Sequence, residues 1–460
     1  MIPKPPACIG CPAYTWGPSY VPDEEDHSQH VIVLAQNPGE SEEKGRRFLG
    51  WSGAGGEKWA PGTPRPLIGK SGYDMERHFL PLSGLTRDDV RCGNVIRCRW
   101  KGGNTLPPLT QSSVRGAIRH CQQAHFIPPQ VGQTVVVLGA YALWAMTGEF
   151  GAEGSDEDDD SRASRSLDGW RGWVVPSHQY PDITIFATYH PAFFYRAHWL
   201  KPVGKMDWAR LGKLTHETWP EPPPTILRQA PAQWPVEVAW DTEYNPATGE
   251  LHRYSVAWRD QDDVPHIHVV EAADLRRVGG PPPRRLIAHN LEADRPYLES
   301  VFGTNTMDWD DTMFMHSVLH GTLRHTLDFL GSVYARTNRW KHLEQSDEIM
   351  YSGLDALGTW DAWVAMDREL ARDPQSREVY EEELKPLLPH ILRRPAIHLD
   401  AVKVAEGVEA LSRQQADSLA QAHAAAGWPL NIASPHQVAR WLAIKGAHHD
   451  NHDTFGEGIA

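Results

Sequence analysis

The chain has 460 residues, with 40% hydrophobic residues, 23% charged residues and a formal net charge of −14. This length exceeds what one ordinary hydrophobic core organises, so we expect two or three domains. The negative charge argues against nucleic-acid binding by a broadly basic surface, but it allows a local basic groove. Because no apolar run reaches membrane-spanning length and no signal peptide opens the chain, we expect a cytoplasmic protein without a membrane partner.

Strand and helix patterns alternate through the first 218 residues. Apolar strands run into glycine-marked turns and helices in "HVIVLAQNPGE" (30–40) and "TVVVLGAYALWAM" (134–146), and "ITIFATYHP" (183–191) adds a strand and a loop. This alternation predicts an α/β domain with a parallel sheet. The acidic stretch "GAEGSDEDDDSRASRS" (151–166) interrupts the pattern, and we expect it to be a solvated loop or a locally disordered segment.

The five cysteines all lie in this first region. Cys8 and Cys11 form a C-x2-C pair, and Cys92, Cys98 and Cys121 follow. In a reducing compartment such groups of cysteines more often bind metal than form disulfides. A site of four cysteines suits either zinc or an iron–sulfur cluster, and the ligand types alone do not distinguish the two.

The motifs of residues 1–205, taken in order, resemble those of the iron–sulfur (type 4) uracil-DNA glycosylases. "AQNPG" (35–39) lies where that family has a G-E-A-P-G turn, and "RPLIGKSG" (65–72) lies where it has P-F-V-G-x-A-G. "NVIRCRW" (94–100) and "TYHPAFFYR" (188–196) follow. The resemblance implies a three-layer α/β/α domain that acts on uracil-containing DNA.

The same resemblance implies a 4Fe-4S cluster in the first domain. The family's pattern carries the ligands over to Cys8, Cys11, Cys98 and Cys121. Cys92 is left over, and we expect it to be a buried small hydrophobic residue.

The implied chemistry is base flipping followed by cleavage of the N-glycosidic bond. Asn94 would read the uracil edge, because a side-chain amide both donates and accepts hydrogen bonds, and Asn37 joins it as a substrate-binding residue. His190 would stabilise the negative charge on the departing uracil. Gln36 occupies the family's acidic position, where a neutral amide positions a water molecule but cannot take its proton.

Two residues compete for the position of the family's aromatic side chain that stacks on uracil. The spacing to Asn94 selects Leu67, whereas a second alignment through "GRRFLGWSG" (45–53) selects Phe48 and needs a long insertion before residue 65. We prefer Leu67, because the stretch from Gly72 to Asn94 has the family's length. With Gln36 and Leu67 at these positions, we expect a domain that either excises uracil slowly or only senses it.

A proline-rich stretch, "WPEPPPTILRQAPAQWP" (219–235), follows the first region and predicts a stiff interdomain linker. Beyond it, "VAWDTEY" (238–244) has strand character and places Asp241 and Glu243 on the same face. Two like charges side by side destabilise a strand unless a positive charge lies between them. The pair therefore predicts a cation site, and further carboxylates would complete it.

Two later segments supply them. "LIAHNLEADRPYL" (286–298) places Asp294 four residues after Asn290, and "YSGLDALGTWDAW" (351–363) places Asp355 four residues after Tyr351 on a predicted helix. Hard cations such as Mg²⁺ prefer oxygen ligands. Two such cations about 4 Å apart stabilise both the attacking and the leaving oxygen of a phosphodiester displacement.

The ordered set D-T-E, H-N-x3-D and Y-x3-D resembles the DEDDy 3′–5′ exonucleases that are built into family-A DNA polymerases. The resemblance covers about 236–372 and implies an RNase H-like α/β domain that binds single-stranded or frayed DNA 3′ ends with two Mg²⁺ or Mn²⁺ ions. One ion would be held by Asp241, Glu243 and Asp355 and would position the attacking water. Asp241 and Asp294 would hold the second. Tyr351 would orient the water, and Asn290 would contact the substrate.

The remaining residues continue this resemblance. "YEEELKPLLPHILRRPAIHLD" (380–400) and "PLNIASPHQVARWL" (429–442) are similar to the helix after the exonuclease and to part of the thumb of phage-like family-A polymerases. No room remains for palm and fingers. We therefore expect a helical segment from a truncated gene, a split polymerase with a separate palm and fingers chain, or a deliberately shortened protein.

The expected boundaries are a glycosylase-like domain over 1–218, a linker over 219–235, an exonuclease over 236–374 and a polymerase start over 375–460. Three functions remain open for the first domain. It excises uracil, it binds uracil-containing DNA without excision, or it is an accessory structural domain beside an active exonuclease. Asn94 and His190 favour the first hypothesis, whereas Gln36 and Leu67 favour the other two.

Overall fold

The computed structural model describes residues 2–17, 19–24, 29–53, 55–100, 106–148, 166–216, 219–227, 231, 233–272, 283–302, 308–388 and 400–445. The acidic stretch 151–165 lies outside this part of the chain, and the predicted loop there stays a prediction. No helix in the described ranges is long and apolar enough to cross a membrane. The chain divides into two compact units, Met1–Leu392 and Arg393–Ala460.

The strands are β1 (Ile2–Pro3), β2 (Ser19–Tyr20), β3 (Val31–Ala35), β4 (Arg46–Trp51), β5 (Glu57–Pro61), β6 (Val90–Asn94), β7 (Thr134–Leu138), β8 (Val174–Val175), β9 (Thr184–Thr188), β10 (Ile226–Leu227), β11 (Glu237–Tyr244), β12 (Leu251–Arg259), β13 (Pro265–Glu271), β14 (Arg285–Ala288) and β15 (Asp308–Asp311). The helices are α1 (Glu40–Glu43), α2 (Lys70–Asp74), α3 (Ser112–His125), α4 (Ala140–Thr147), α5 (Leu167–Trp170), α6 (Lys201–His216), α7 (Leu291–Phe302), α8 (Thr312–Leu319), α9 (Leu327–Tyr334), α10 (Glu348–Arg372), α11 (Pro374–Glu378), α12 (Ala401–Ala426) and α13 (Pro435–Ile444).

The first sheet has the strand order β6-β3-β7-β9-β8. Strands β6, β3, β7 and β9 are parallel, and β8 is antiparallel to β9. Their apolar residues are buried, as expected for a parallel sheet covered on both faces. Registers pair Ala35 with Asn94 and Leu138 with Thr188, so the carboxyl ends of the four parallel strands form one edge. This arrangement confirms the predicted α/β class.

The second sheet has the order β10-β13-β12-β11-β14-β15 and mixes antiparallel and parallel pairs. The long helix α10 packs across β11, β12 and β13. Gly353 permits this close approach, since a Cβ there would lie 2.6 Å from Ile267 Cγ2. The helix therefore holds Tyr351 and Asp355 over the strand that carries Asp241 and Glu243, which fixes the position of the site.

The segment predicted as a linker packs against its surroundings in the ranges that the structure describes. Strand β10 joins the second sheet beside β13. Trp219 and Trp234 are buried, and the Trp219 indole donates a hydrogen bond to the Ala335 carbonyl at 3.2 Å. Trp234 packs edge-on against Trp258 at 6.1 Å. These large buried aromatic side chains pack the proline-rich stretch against the rest of the fold. The exact boundaries of the predicted linker stay predictions.

The second compact unit is helical where it is described, as the sequence predicted. Asp400 caps α12 by accepting hydrogen bonds from the Val402 and Lys403 amides at 3.0 and 3.2 Å. Gly427 ends this helix in the left-handed conformation, with a φ of 80°. Ser434 caps α13 in turn through the Gln437 amide at 3.4 Å.

Candidate functional sites

Three of the predicted metal ligands converge on the second sheet. Asp241 and Glu243 lie at alternate positions of β11, and Asp355 lies on α10. Each offers a carboxylate oxygen within 4.8 Å of the other two. Asp241 Oδ2 is buried and has no hydrogen-bond partner in the described part of the chain. A buried, unpartnered carboxylate oxygen is costly unless a cation completes its contacts.

The convergence of negative charge changes the acidity of these groups. Burial, together with the charge of Asp355, raises the pKa of Glu243 to about 7. Burial also raises the pKa of Asp241 well above its ordinary value, and the charges of Asp355, Asp294 and Glu243 add to this effect. The site therefore takes up protons readily when no cation is bound.

Asp294 lies close to this group but is fixed differently. Its Oδ1 accepts hydrogen bonds from the Thr242 amide at 2.9 Å and from the Thr242 hydroxyl at 2.5 Å. Burial raises its pKa to about 7, although these hydrogen bonds oppose the shift. Thr242 is the residue between the two acidic residues of β11, so Asp294 is bound to the strand at the centre of the D-T-E motif.

Two residues of this site were missed by sequence reasoning. The Trp340 indole donates a hydrogen bond to Asp355 Oδ1 at 2.6 Å. Lys341 Nζ donates to both oxygens of Asp355 at 2.7 and 2.9 Å, and to the Tyr351 hydroxyl at 3.2 Å. Although burial opposes it, the Asp355 charge raises the pKa of Lys341. Trp340 and Lys341 lie between the motifs, where no periodic spacing relates them to Asp355.

The donor set fits a divalent cation. Carboxylate oxygens are the ligands that Mg²⁺ and Mn²⁺ prefer. Four carboxylates face one ammonium group, that of Lys341, so the site keeps an excess of negative charge when all of them are ionised. Any cation held by Asp355 shares that carboxylate with Lys341.

Asn290 lies at the start of α7 and is exposed. Its backbone is left-handed, with a φ of 64°. The buried carboxylate of Asp311 holds this turn, because it accepts hydrogen bonds from the Asn290 and Leu291 amides at 3.2 and 2.8 Å. Asp311 also caps α8 through the Met313 amide at 2.8 Å. It is a supporting residue that the motif analysis did not single out.

A second candidate site lies at the carboxyl edge of the first sheet. Gln36 directly follows β3, Asn94 ends β6, and His190 follows β9. Gly139 follows β7 at the same edge with a φ of 94°, and a Cβ built on it would lie 4.0 Å from His190 Cβ. The parallel registers thus bring the three predicted residues to one edge, where α/β sheets usually bind ligands.

Asn94 is 1% exposed, and its amide nitrogen Nδ2 has no hydrogen-bond partner among the described residues. Its backbone amide donates to Asp23 Oδ1 at 3.2 Å. Asp23 also forms an ion pair with Arg97, whose Nη1 donates to the Cys121 carbonyl at 3.3 Å. A buried amide donor without a partner is destabilising, so a ligand carbonyl at this point would satisfy it.

His190 is held in one tautomer. Its Nδ1 accepts a hydrogen bond from the Ala192 amide at 3.1 Å. Burial lowers the pKa of His190 to about 4. The imidazole is therefore neutral near pH 7 and carries its proton on Nε2, which makes Nε2 a donor.

The two candidates for the stacking position have different surroundings. Leu67 is 1% exposed, belongs to the hydrophobic core and has a φ of 53°. Phe48 is 3% exposed and packs edge-on against an aromatic group on and beside the β4–β5 hairpin. That group consists of Trp51, Trp59 and Tyr73. The choice between Leu67 and Phe48 stays a prediction.

The turn after β3 is fixed by a carboxylate that the sequence analysis passed over. Glu42 is buried and accepts hydrogen bonds from the Gly39 and Leu67 amides at 2.8 and 2.6 Å. Burial raises its pKa to about 7. The half-buried Gln36 and Asn37 precede this turn, and Asn37 Nδ2 donates to the Pro38 carbonyl at 3.2 Å. In the sequence, Glu42 is one of three acidic residues in the stretch 40–43.

Four buried thiols lie close enough to shift one another's acidity, and their assignment as ligands of one centre stays a prediction. They belong to Cys8, Cys11, Cys98 and Cys121. A hydrogen bond between the thiols of Cys11 and Cys121 raises the pKa of Cys11 and lowers that of Cys121 to about 6. The backbone of Ala13 joins two of them, since its amide donates to Cys11 Sγ at 3.4 Å and its carbonyl accepts from Cys98 Sγ at 3.7 Å.

Cys8 is also close to His125, with 3.1 Å between Sγ and Nε2. Cys92 lies apart from the four thiols on β6, and its amide donates to Glu24 Oε2 at 2.9 Å. Burial raises the pKa of Cys92 to about 12, which suits an inert core residue. Four neighbouring thiols fit either a tetrahedral metal or an iron–sulfur cluster.

Comparison with known proteins supports two domains. Residues 22–209 match the family model of the uracil DNA glycosylase superfamily, and residues 225–356 match that of a 3′-5′ exonuclease. The type-4 uracil-DNA glycosylase of Thermotoga maritima is 28% identical over 136 residues, which are 30% of this chain and 58% of that protein. The type-4 uracil-DNA glycosylase of Sulfurisphaera tokodaii is 24% identical over 192 residues, 40% of this chain and 70% of that protein.

Among solved structures, Brucella melitensis NrnC aligns at 20% identity with a TM-score of 0.29, covering 36% of this chain and 88% of that chain. The two family models cover separate stretches and follow the same order as the two sites described above. The chain thus combines a domain of the uracil-DNA glycosylase superfamily with a 3′–5′ exonuclease domain.

Proposed function

We propose that the chain is a DNA-processing enzyme that removes nucleotides from DNA 3′ ends by a two-metal mechanism and excises uracil with its first domain. The exonuclease part is supported above all by the carboxylate group around Asp241, whose Oδ2 is buried and unpartnered within the described residues. Divalent cations bound there supply the charge that activates water and stabilises the departing oxygen. The protein's own residues would hold the cations and orient the attacking water.

The geometry supports distinct roles for the protein groups around Asp355. Asp241, Glu243 and Asp355 would hold one cation, and Asp241 with Asp294 the other. Tyr351 would orient the attacking water through its hydroxyl, which Lys341 fixes by hydrogen bonding. DNA with a single-stranded or frayed 3′ end is the substrate that fits this proposal.

For the first domain we propose uracil excision by leaving-group stabilisation. Asn94 Nδ2 is a buried donor that a uracil carbonyl would satisfy. The neutral His190 would donate its Nε2 proton towards the oxygen that gains negative charge as the N-glycosidic bond breaks. Gln36 would position the water, since an amide cannot act as its base.

The four thiols would hold a 4Fe-4S cluster, with zinc as the alternative. Arg97 connects this centre to the uracil-binding edge, because it contacts the Cys121 carbonyl and pairs with Asp23, which binds the Asn94 amide. We propose that the centre is structural and holds this edge in place. Five free cysteines and a thiol-liganded centre also fit the reducing cytoplasm.

The C-terminal helices α12 and α13 would be the start of a family-A polymerase domain of phage-like type. The proposal rests on the quoted sequence motifs in 429–442 and on the helices found there.

Two assays test the proposed function. A 5′-labelled oligonucleotide incubated with Mn²⁺ should give a ladder that shortens from the 3′ end, and a 3′-terminal phosphorothioate should delay it. A uracil-containing oligonucleotide should release free uracil. Absence of shortening would refute the exonuclease. Tighter binding of uracil-DNA than of thymine-DNA without release would replace excision with uracil sensing.

A further inference from the structure

The two domains meet along one stretch of each. Residues 171–174 lie just before and on β8 of the first domain, and residues 331–340 comprise the last turn of α9 and the segment after it in the exonuclease. Arg171 donates a hydrogen bond to the Ser332 hydroxyl, and Asn338 Nδ2 donates to the Val174 carbonyl at 3.0 Å. The backbones are close enough that a Cβ on Gly172 would lie 2.7 Å from the Ser332 carbonyl oxygen.

Trp173 and Trp340 form the centre of this contact. Their rings meet edge to face, with centroids 5.8 Å apart and planes at 83°. Both are almost completely buried, at 1% and 2% exposure. On the exonuclease side, Trp340 is enclosed by two glycines, since a Cβ on Gly331 or Gly358 would lie 2.7 or 2.6 Å from Trp340 Cη2. The indole of Trp340 therefore has little freedom to move.

Trp173 is held firmly within its own domain. The guanidinium of Arg210, on α6, lies 4.6 Å from the centroid of the Trp173 ring and 4.2 Å from that of Trp219. Trp219 in turn donates to the Ala335 carbonyl, in the same exonuclease segment that carries Trp340. The first domain thus contacts this segment at Trp340, and Trp219 of the proline-rich stretch contacts it at Ala335.

The same segment reaches the exonuclease centre. The Trp340 indole donates to Asp355 Oδ1 at 2.6 Å, and the next residue, Lys341, donates to both oxygens of Asp355. Groups that hydrogen-bond a metal ligand fix its orientation, and their removal typically lowers metal affinity or activity about 10–100-fold. Any displacement of Trp340 would therefore move a carboxylate of the candidate metal site.

We propose that the glycosylase-like domain positions the exonuclease metal ligand Asp355 through the contact between Trp173 and Trp340. This inference rests on the proposed exonuclease function. Trp173 is a positioning residue, because it acts through Trp340 and touches no carboxylate of the site. The metal affinity of the exonuclease site then depends on the first domain.

The test measures Mn²⁺ binding to the full chain by electron paramagnetic resonance, without DNA. Trp340→Phe removes the donor to Asp355 and keeps an aromatic ring, and Trp173→Leu removes the support from the first domain. We expect both to weaken Mn²⁺ binding about 10-fold or more. Trp144→Leu is the matched control, because Trp144 is a buried tryptophan of the first domain on α4, packed under Arg119. It should leave Mn²⁺ binding unchanged.

A purely structural role for Trp173 predicts a different pattern. It would lower the melting temperature in Trp173→Leu and Trp144→Leu alike, and it would leave the Mn²⁺ affinity of the folded protein unchanged. The proposal predicts instead that excess Mn²⁺ restores exonuclease turnover in Trp173→Leu. Unchanged Mn²⁺ affinity in folded Trp173→Leu would overturn the proposal, even if Trp340→Phe binds Mn²⁺ weakly.

If Trp173→Leu does not fold, Asn338→Ala decides, because it removes one interdomain hydrogen bond at the same contact. Weaker Mn²⁺ binding, by about 2–13-fold, would support the proposal, since one neutral hydrogen bond contributes about 0.5–1.5 kcal/mol. Unchanged binding would overturn it. Failure of the proposed function itself is recognised separately, because Asp241→Ala would then bind Mn²⁺ as well as the unaltered chain does.

Discussion

Each candidate site is built on strands of an α/β sheet, yet the two sites differ in charge. The candidate exonuclease site brings together the carboxylates of Asp241, Glu243 and Asp355, the last paired with Lys341, whereas the candidate glycosylase site consists of neutral groups: Gln36, Asn94 and His190. A charged site depends on cations and on pH, because its ligands repel each other without metal. A neutral site depends less on cations and on pH. The contrast predicts that the two proposed activities have separate requirements for cations and pH.

The largest expected effect comes from removing the central carboxylate of the charged site. Asp241→Ala should abolish 3′-end shortening, because Asp241 would hold both cations and its charge is not replaced. A 5′-labelled oligonucleotide with Mn²⁺ measures this. Uracil release by the same variant should be unchanged, and loss of both activities would show that the two sites are not independent.

On the neutral side, His190→Ala should reduce uracil release about 10²–10³-fold, the typical cost of losing one donor to a developing anion. Single-turnover release at matched salt measures this, and exonuclease activity of the variant serves as the control. Release at the unaltered rate would refute the role of His190.

Gln36→Glu is the companion variant to His190→Ala. It should leave uracil release equal or make it faster, because it supplies a proton acceptor for the water. A release rate lower than that of the unaltered chain would show that Gln36 does more than position water.

A third expectation concerns the four thiols that lie near the neutral site. Cys121→Ser should lose metal or cluster and destabilise the first domain, because metal-binding free energy is partly folding free energy. Cys92→Ser should retain the metal, since Cys92 lies apart beside Glu24. Metal analysis and melting curves compare the two. Equal metal loss in both variants would contradict the ligand assignment, and stoichiometric zinc in an anaerobic preparation would replace the iron–sulfur proposal.

The smallest expected effect is a pH dependence of stability, to which the charged site and the buried Glu42 of the first domain both contribute. Burial raises the pKa of Glu243 and of Asp294 to about 7, above the values near 4 expected in the unfolded chain. Raised carboxyl pKa values stabilise the fold below about pH 4 and lose that contribution as pH rises through 7. The metal-free melting temperature should therefore fall by at least about 2–4 °C between pH 6 and pH 8.

Two controls define this effect. Saturating Mn²⁺ should raise the melting temperature more at pH 8 than at pH 6, because the ionised carboxylates are then available to the cation. Glu243→Gln should show a shallower pH dependence, since the amide does not titrate. An equal slope in the variant and the unaltered chain would exclude Glu243 as a source.

Patterns along the chain predicted much of this architecture. Strand alternation was enough to place Asp241 and Glu243 on one face, and apolar runs ending in glycine predicted the parallel strands β3 and β7. Only the family resemblance predicted that Asp355 groups with Asp241 and Glu243, because α10 contacts β11 through tertiary packing. The periodicity and spacing of residues indicate which side chains share a face of one helix or strand. They do not indicate which helices and strands pack together.

The residues that the sequence did not predict hold other residues in place that belong to a different helix, strand or loop. Trp340 and Lys341 belong to an irregular segment and reach Asp355 on a different helix. Glu42 stands in an acidic run that suggests a solvated surface, yet its carboxylate is buried against backbone amides. The expected linker is held by Trp219, whose burial depends on Ala335, more than a hundred residues away.

The central claim is that one chain holds an exonuclease that requires added divalent cations and a uracil-excising site that does not. The most direct measurement uses one 5′-labelled oligonucleotide with an internal uracil, incubated with the unaltered chain in Mn²⁺ or in EDTA. We predict that EDTA stops 3′-end shortening while free uracil continues to be released. Shortening at full rate in EDTA, or release of uracil only when Mn²⁺ is present, would contradict the account.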